Sequence, residues 1–190
     1  MLFRSDNYSK EWHEEAAKRG LPNLQTAADA IPVLISEKAL DLFEKYAVLS
    51  NRELRAREAV LIEKYATQVE IEARTLISML STQILPATLR YQQELATQVA
   101  SSHAVSVDCT RTGGRLSDVA NLADSLQDGI ATLIDAESQQ HEESHTHANF
   151  IRDTLLPAML VVRVVSDQLE QLIPDDIWPL PTYTDMLFVR

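Results

Sequence analysis

The densest run of side chains able to ligate a metal or move a proton lies between residues 141 and 147, where His141, Glu142, Glu143, His145 and His147 fall close together. On a helix His141 and His145, four apart, would share a face, as paired zinc ligands do. The spacing matches no common metal motif, however. The segment also reads as polar and exposed, without apolar residues to hold a rigid site. It is read as a solvated helix junction, and no metal residue is assigned.

The other chemistry-bearing residues are thinner still. Cys109, the single cysteine, follows Asp108 in a polar loop, and a neighbouring carboxylate disfavours the thiolate that a nucleophile needs. His103 in Ser-Ser-His-Ala-Val resembles a phosphotransfer histidine only in its residue type, and reads as an ordinary helix-end residue. Charge runs such as Glu70 and Glu72 read as solvated faces. Gly113-Gly114 reads as a turn, and neither a phosphate loop nor a dinucleotide fingerprint occurs. No catalytic and no cofactor-binding residue is assigned.

Charge narrows the function classes further. The formal net charge is -11, whereas a phosphate-binding surface needs clustered Lys and Arg. Arg52, Arg55 and Arg57 are interleaved with Glu53 and Glu58, a mixed-charge helix face. Nucleic acid is therefore not expected as a partner. The longest apolar run, 155–165, is interrupted by Arg163 and is too short to span a bilayer, so a membrane is not expected either. One cysteine and a polar start without a signal peptide place the chain in the cytoplasm.

The elements that must position these residues read as helices throughout. Only four of the 190 residues are Gly, while Ala, Leu, Glu and Gln abound. Ser9 caps a helix over 10–19 that stops at Gly20. Thr26 with Asp29 starts a short helical turn that Pro32 ends or kinks. Ser36 caps a helix to about 47, and Ser50 with Glu53 forms a capping box.

From there Leu61, Tyr65, Val69, Ala73, Leu76, Leu80, Ile84, Tyr91 and Leu95 keep near-helical spacing. They predict one helix over about 51–103, kinked near Pro86. A turn is expected over 108–114. Val119, Ala123, Leu126, Ile130 and Leu133 then predict a second helix over about 115–138. A third, over about 149–172, is apolar nearly all round through 155–165 and so reads as the most buried element. A β-strand over 161–165 is the other reading of that run, but no second strand exists to pair with it.

After Ile173, prolines 174, 179 and 181 forbid a regular helix. Trp178-Pro179-Leu180-Pro181-Thr182-Tyr183 resembles a ligand for aromatic-groove adaptor domains. The preferred reading has the tail fold back on the bundle with Trp178 as its anchor.

Two stretches resemble type III glutamine synthetases. The first runs from Asp6-Asn7-Tyr8-Ser9 through Arg19-Gly20-Leu21-Pro22-Asn23-Leu24 and Glu63-Lys64-Tyr65 to Gln83-Ile84-Leu85-Pro86-Ala87. The second pairs Leu156-Pro157-Ala158 with the terminal Trp178-Pro179-Leu180-Pro181-Thr182-Tyr183 and Met186-Leu187-Phe188. The resemblance covers residues 1 to about 96 and about 150 to 190, leaving the middle as a variable helical segment. It implies the C-terminal domain of a large cytoplasmic ligase that makes glutamine from glutamate, ammonia and ATP with magnesium or manganese. It also implies a dodecamer of two stacked hexameric rings. The catalytic portion of such enzymes lies upstream, so no catalytic residue is carried over and Met1 is read as the start of an excised or truncated piece.

These readings converge on an all-α fold, an elongated bundle with one long Pro-kinked helix, two shorter major helices and an extended Pro-rich tail. The expected layout is one domain: lead-in helices over 1–50, a bundle over 51–172, and a tail over 173–190. The expected function is a non-catalytic C-terminal module acting in subunit packing, stability or regulation, inactive alone and without a cofactor of its own. Its expected partners are its own catalytic domain or neighbouring subunits. The alternative is a free-standing helical adaptor or coiled-coil protein.

Overall fold

The computed structural model describes residues 9–181 and 183–187. Met1, the Asp6-Asn7-Tyr8 part of the first motif, Thr182 and Phe188 lie outside the described residues, as do the side chains of Tyr183 and Thr184. Among the described residues every regular element is helical, an all-α fold. The chain divides into two compact units, 1–65 and 66–190.

In the first unit, local capping decides where helices begin and end. The Ser9 hydroxyl accepts from the Trp12 amide at the start of α1 (Lys10–Lys18). Gly20 stops it with φ +68°, and the Leu21 amide reaches back to the Ala16 carbonyl. Thr26 caps α2 (Ala27–Ala30), which Pro32 converts into a 3-10 turn over Ile31–Ile35. Ser36 caps α3 (Glu37–Lys45). Ser50 and Glu53 close a reciprocal box at the start of α4 (Asn51–Met79): the Ser50 amide donates to Glu53 and the Glu53 amide to Ser50 Oγ.

The buried stripe of α4 runs through Leu54, Glu58, Ile62, Ala66, Val69 and Ala73. Sequence periodicity placed Leu61 on that stripe. It is exposed, and Ile62 takes the inward position, because the stripe includes a charged residue, Glu58, that a count of apolar residues passes over.

The helical run continues through Pro86 to Ala104, 54 residues in all. It does so by widening one turn. Leu80–Ile84 is a π segment, and the Leu85 amide donates to the Leu80 carbonyl, five residues back. Pro86 then sits in the first turn of α5 (Leu85–Ala104). A proline ring presses on the carbonyl four residues before it, and a wider turn relieves that pressure. The same device recurs in the second Leu-Pro-Ala. Ile151–Leu155 is a π segment, the Leu156 amide donates to Ile151, and Pro157 opens α8 (Leu156–Glu170).

In the second unit α6 (Thr110–Ser138) packs against both α5 and α8. Val119, Ala123, Leu126, Ile130, Leu133 and Ala136 on α6 are all buried, the stripe read from their three-and-four spacing. Gly129 lies where α6 meets α8, with no room for a side chain toward Val162. The buried hydroxyls of Thr88 and Ser166 bond to carbonyls one turn back, at Ile84 and Val162.

Two expectations fail here. Gly113-Gly114 does not form a turn; it lies within the first turns of α6. The reversal comes earlier, at Ser106 (φ +54°), where the Val107 amide bonds to the Ser102 carbonyl. The Asp108 carboxylate then accepts from the amide of Thr110, the first residue of α6, so the helix begins ahead of the glycine pair. Nor is α8 buried all round. It buries Val162, Ser166 and Leu169 but exposes Leu160, Val161 and Val164. The strand reading of 161–165 is excluded, since that segment is helical.

Candidate functional site

The histidine segment is a helix junction, as expected, with Glu142, Glu143 and Ser144 exposed, but its histidines are partly buried. Glu143 is the N-cap of α7 (Ser144–Phe150), its carboxylate accepting from the His145 and Thr146 amides. The Thr146 hydroxyl and amide, with the His145 amide, hold the Glu143 carboxyl below the usual carboxylate range. Because α7 starts only at Ser144, His141 lies outside it, and the shared face expected for His141 and His145 does not form.

His141 turns inward instead. Its ring lies 4.7 Å from that of Phe150 and 5.8 Å from that of His147, centroid to centroid. The His147 Nε2–H donates to Glu70 Oε1 on α4 at 2.9 Å, joining residues 77 apart in sequence. Their side chains are only 14% and 22% exposed. Arg74 extends the cluster, reaching Glu70 at 3.2 Å and Glu137 on α6 at 3.0 Å. Four residues thus tie α4, α6 and α7 together in a polar clasp. The Nδ1 atoms of His141 and His147 are buried without a hydrogen-bond partner. Sequence reasoning missed Glu70, Arg74 and Glu137 as partners of this segment. Arg74 four residues after Glu70 was a local clue, but nothing local points across to His147.

The remaining sequence candidates stay apart. Cys109 Sγ is half-buried, 3.9 Å from the Val99 carbonyl. His103 ends α5. The Thr110 hydroxyl and amide hold the Asp108 carboxyl below its ordinary value. In the tail Trp178 is buried, its amide bonded to the Pro174 carbonyl, while Met186 and Leu187 are exposed.

The resemblance implies ATP and a divalent metal for the parent enzyme. Among the described residues no three His, Cys, Asp or Glu side chains converge as metal ligands. Arg74, Arg152 and Arg163 pair with Glu70 and Glu137, Asp153 and Asp167 respectively. Among the described residues no helix is long and apolar enough to cross a membrane.

Comparison with known proteins identifies the family of this helical chain. The family model of the glutamine synthetase C-terminal domain matches residues 1–103. The chain belongs to that family. A type-3 glutamine synthetase of Dictyostelium discoideum is 33% identical over 199 residues, covering 100% of the chain. Glutamine synthetases of Butyrivibrio fibrisolvens and Bacteroides fragilis (strain YCH46) are 29% and 27% identical, each over 99% of the chain. The alignments extend through the histidine segment and the tail, past the stretch that the family model matches. The chain spans 27% of the length of each of these relatives.

Proposed function

We propose that this chain is the non-catalytic C-terminal helical module of a type-3 glutamine synthetase, an enzyme that makes glutamine from glutamate, ammonia and ATP. The observation that carries the reading is the end-to-end match of this chain to 27% of three glutamine synthetases, under a family model that is itself a C-terminal domain. Its work is packing and stability within a cytoplasmic homo-oligomer, against its own catalytic domain or neighbouring subunits. The build of the second unit supports a structural role. The clasp around Glu70, the close approach at Gly129 and the buried α6 stripe all serve to hold helices in place.

An antibody raised against the purified chain tests this in extracts of the source cells. The expected result is a polypeptide several times longer than 190 residues that co-purifies with glutamine-forming activity. A native species of only the chain's own length, separate from that activity, would overturn the reading in favour of a free-standing helical adaptor.

A further inference from the structure

Among the described residues, much of the apolar surface of the first unit is without cover. Neither the 3-10 turn over Ile31–Ile35 nor α3 has a fully buried residue. Val33, Leu42, Tyr46, Val48, Val60 and Leu61 are all exposed, Tyr46 by 66% and Val60 by 62%. Between α3 and the start of α4 these elements enclose a groove of about 620 Å³. Its walls are Leu34, Phe43, Leu49, Val60 and Leu61, and Arg57 stands beside them. Apolar patches of this extent on a small unit mark a surface that another surface covers.

We infer that this groove seats an apolar segment of the synthetase portion that precedes this module in its relatives, with an acidic side chain of that segment beside Arg57. The inference rests on the module reading given above. Two observations select this occupant over a second copy of the chain. The family model is that of a C-terminal domain and the match takes up only 27% of each relative, so most of the polypeptide in those proteins precedes the matching stretch. The groove lies in the first unit, the part nearest to that polypeptide in sequence, where tethering gives an attached segment a high effective concentration.

The test is thiol labelling at the groove. Val60→Cys, in a Cys109→Ser background, is prepared in the free chain. It is also prepared in a graft in which the chain replaces the matching stretch of the Dictyostelium type-3 glutamine synthetase. Reaction with a maleimide is read by mass spectrometry of the peptide containing residue 60. The expected result is rapid labelling in the free chain and labelling at least tenfold slower in the graft. If the graft forms glutamine but Val60→Cys reacts as fast as in the free chain, the groove inference is wrong and the module reading stands. If the graft neither assembles nor forms glutamine, the module reading fails and takes this inference with it. Protection in the free chain that grows with its concentration would assign the groove to a second copy and overturn the inference.

Discussion

A Cβ atom built on Gly129 would lie 2.7 Å from Cγ1 of Val162, closer than non-bonded carbons approach. Val162 is fully buried and β-branched, so it has little freedom to yield. Gly129→Ala is expected to destabilise the chain by about 1–3 kcal/mol, the usual cost of overpacking a core. Val162→Ala in the same chain should recover part of that loss, because it removes the methyl group in the way. Equal losses in the single and double variants, measured by urea denaturation, would show that this helix contact is not tight.

Ser106 is held at φ +54° where α5 turns toward α6. That conformation strains a residue with a Cβ and suits glycine. Ser106→Gly is expected to stabilise the chain by about 0.5–1 kcal/mol, the relief of strain outweighing the greater freedom of glycine in the unfolded chain. A fall in the denaturation midpoint would refute the assignment of strain here.

Much of this fold is legible in the sequence where one helix face carries the whole signal. The α6 stripe from Val119 to Leu133 follows from spacing alone, and the Ser9, Thr26, Ser36 and Ser50 caps follow from residue type. What fails depends on competition or distance. Gly113-Gly114 looks like punctuation, but Asp108 and the turn at Ser106 set the boundary first. The exposed Leu160, Val161 and Val164 look like core because hydropathy does not record which side of a helix has a neighbour. The partnership of His147 with Glu70 spans 77 residues and leaves no local trace.

That partnership gives a third prediction. His147→Ala leaves Glu70 without its partner on α7, and Glu70→Gln removes the charge that also holds Arg74. Each should lower stability by about 1 kcal/mol, and the two together should cost less than their sum, since they break one bond. Additive losses in the double-mutant cycle would dissolve the clasp. A chelator should leave the melting temperature of the parent unchanged; a drop absent from the His141, His145 and His147 triple Ala variant would reveal a structural metal.

Acid should act first at helix starts. The carboxyls of Glu53, Asp108 and Glu143 are held below their ordinary values, by hydrogen bonds from Ser50, Thr110 and Thr146 above all. A group whose pKa is lowered by folding contributes stability above its ordinary value, and that contribution fades as pH falls through the lowered one. Glu143→Gln should therefore differ from the parent at neutral pH and converge with it in acid. A stability gap that stays constant down to the acid limit would contradict the capping role.

The tail supplies a fifth expectation. Trp178 is 8% exposed, and burying a large apolar side chain contributes about 1.5–3 kcal/mol. Truncation after Ile173 should lower the melting temperature and increase binding of a hydrophobic dye. Trp178 fluorescence, corrected for Trp12, should resist an aqueous quencher. Unchanged stability together with free quenching would make the tail a loose arm.

The central claim, a structural module of a glutamine synthetase, is tested most directly by turnover. Glutamine formation is measured for the purified chain, for the Dictyostelium relative lacking its matching stretch, and for the graft carrying this chain in that place. The account predicts no turnover from the chain alone, impaired assembly and activity after deletion, and recovery of both in the graft. Glutamine formed by the isolated chain, or a deletion that leaves assembly and activity intact, would contradict it.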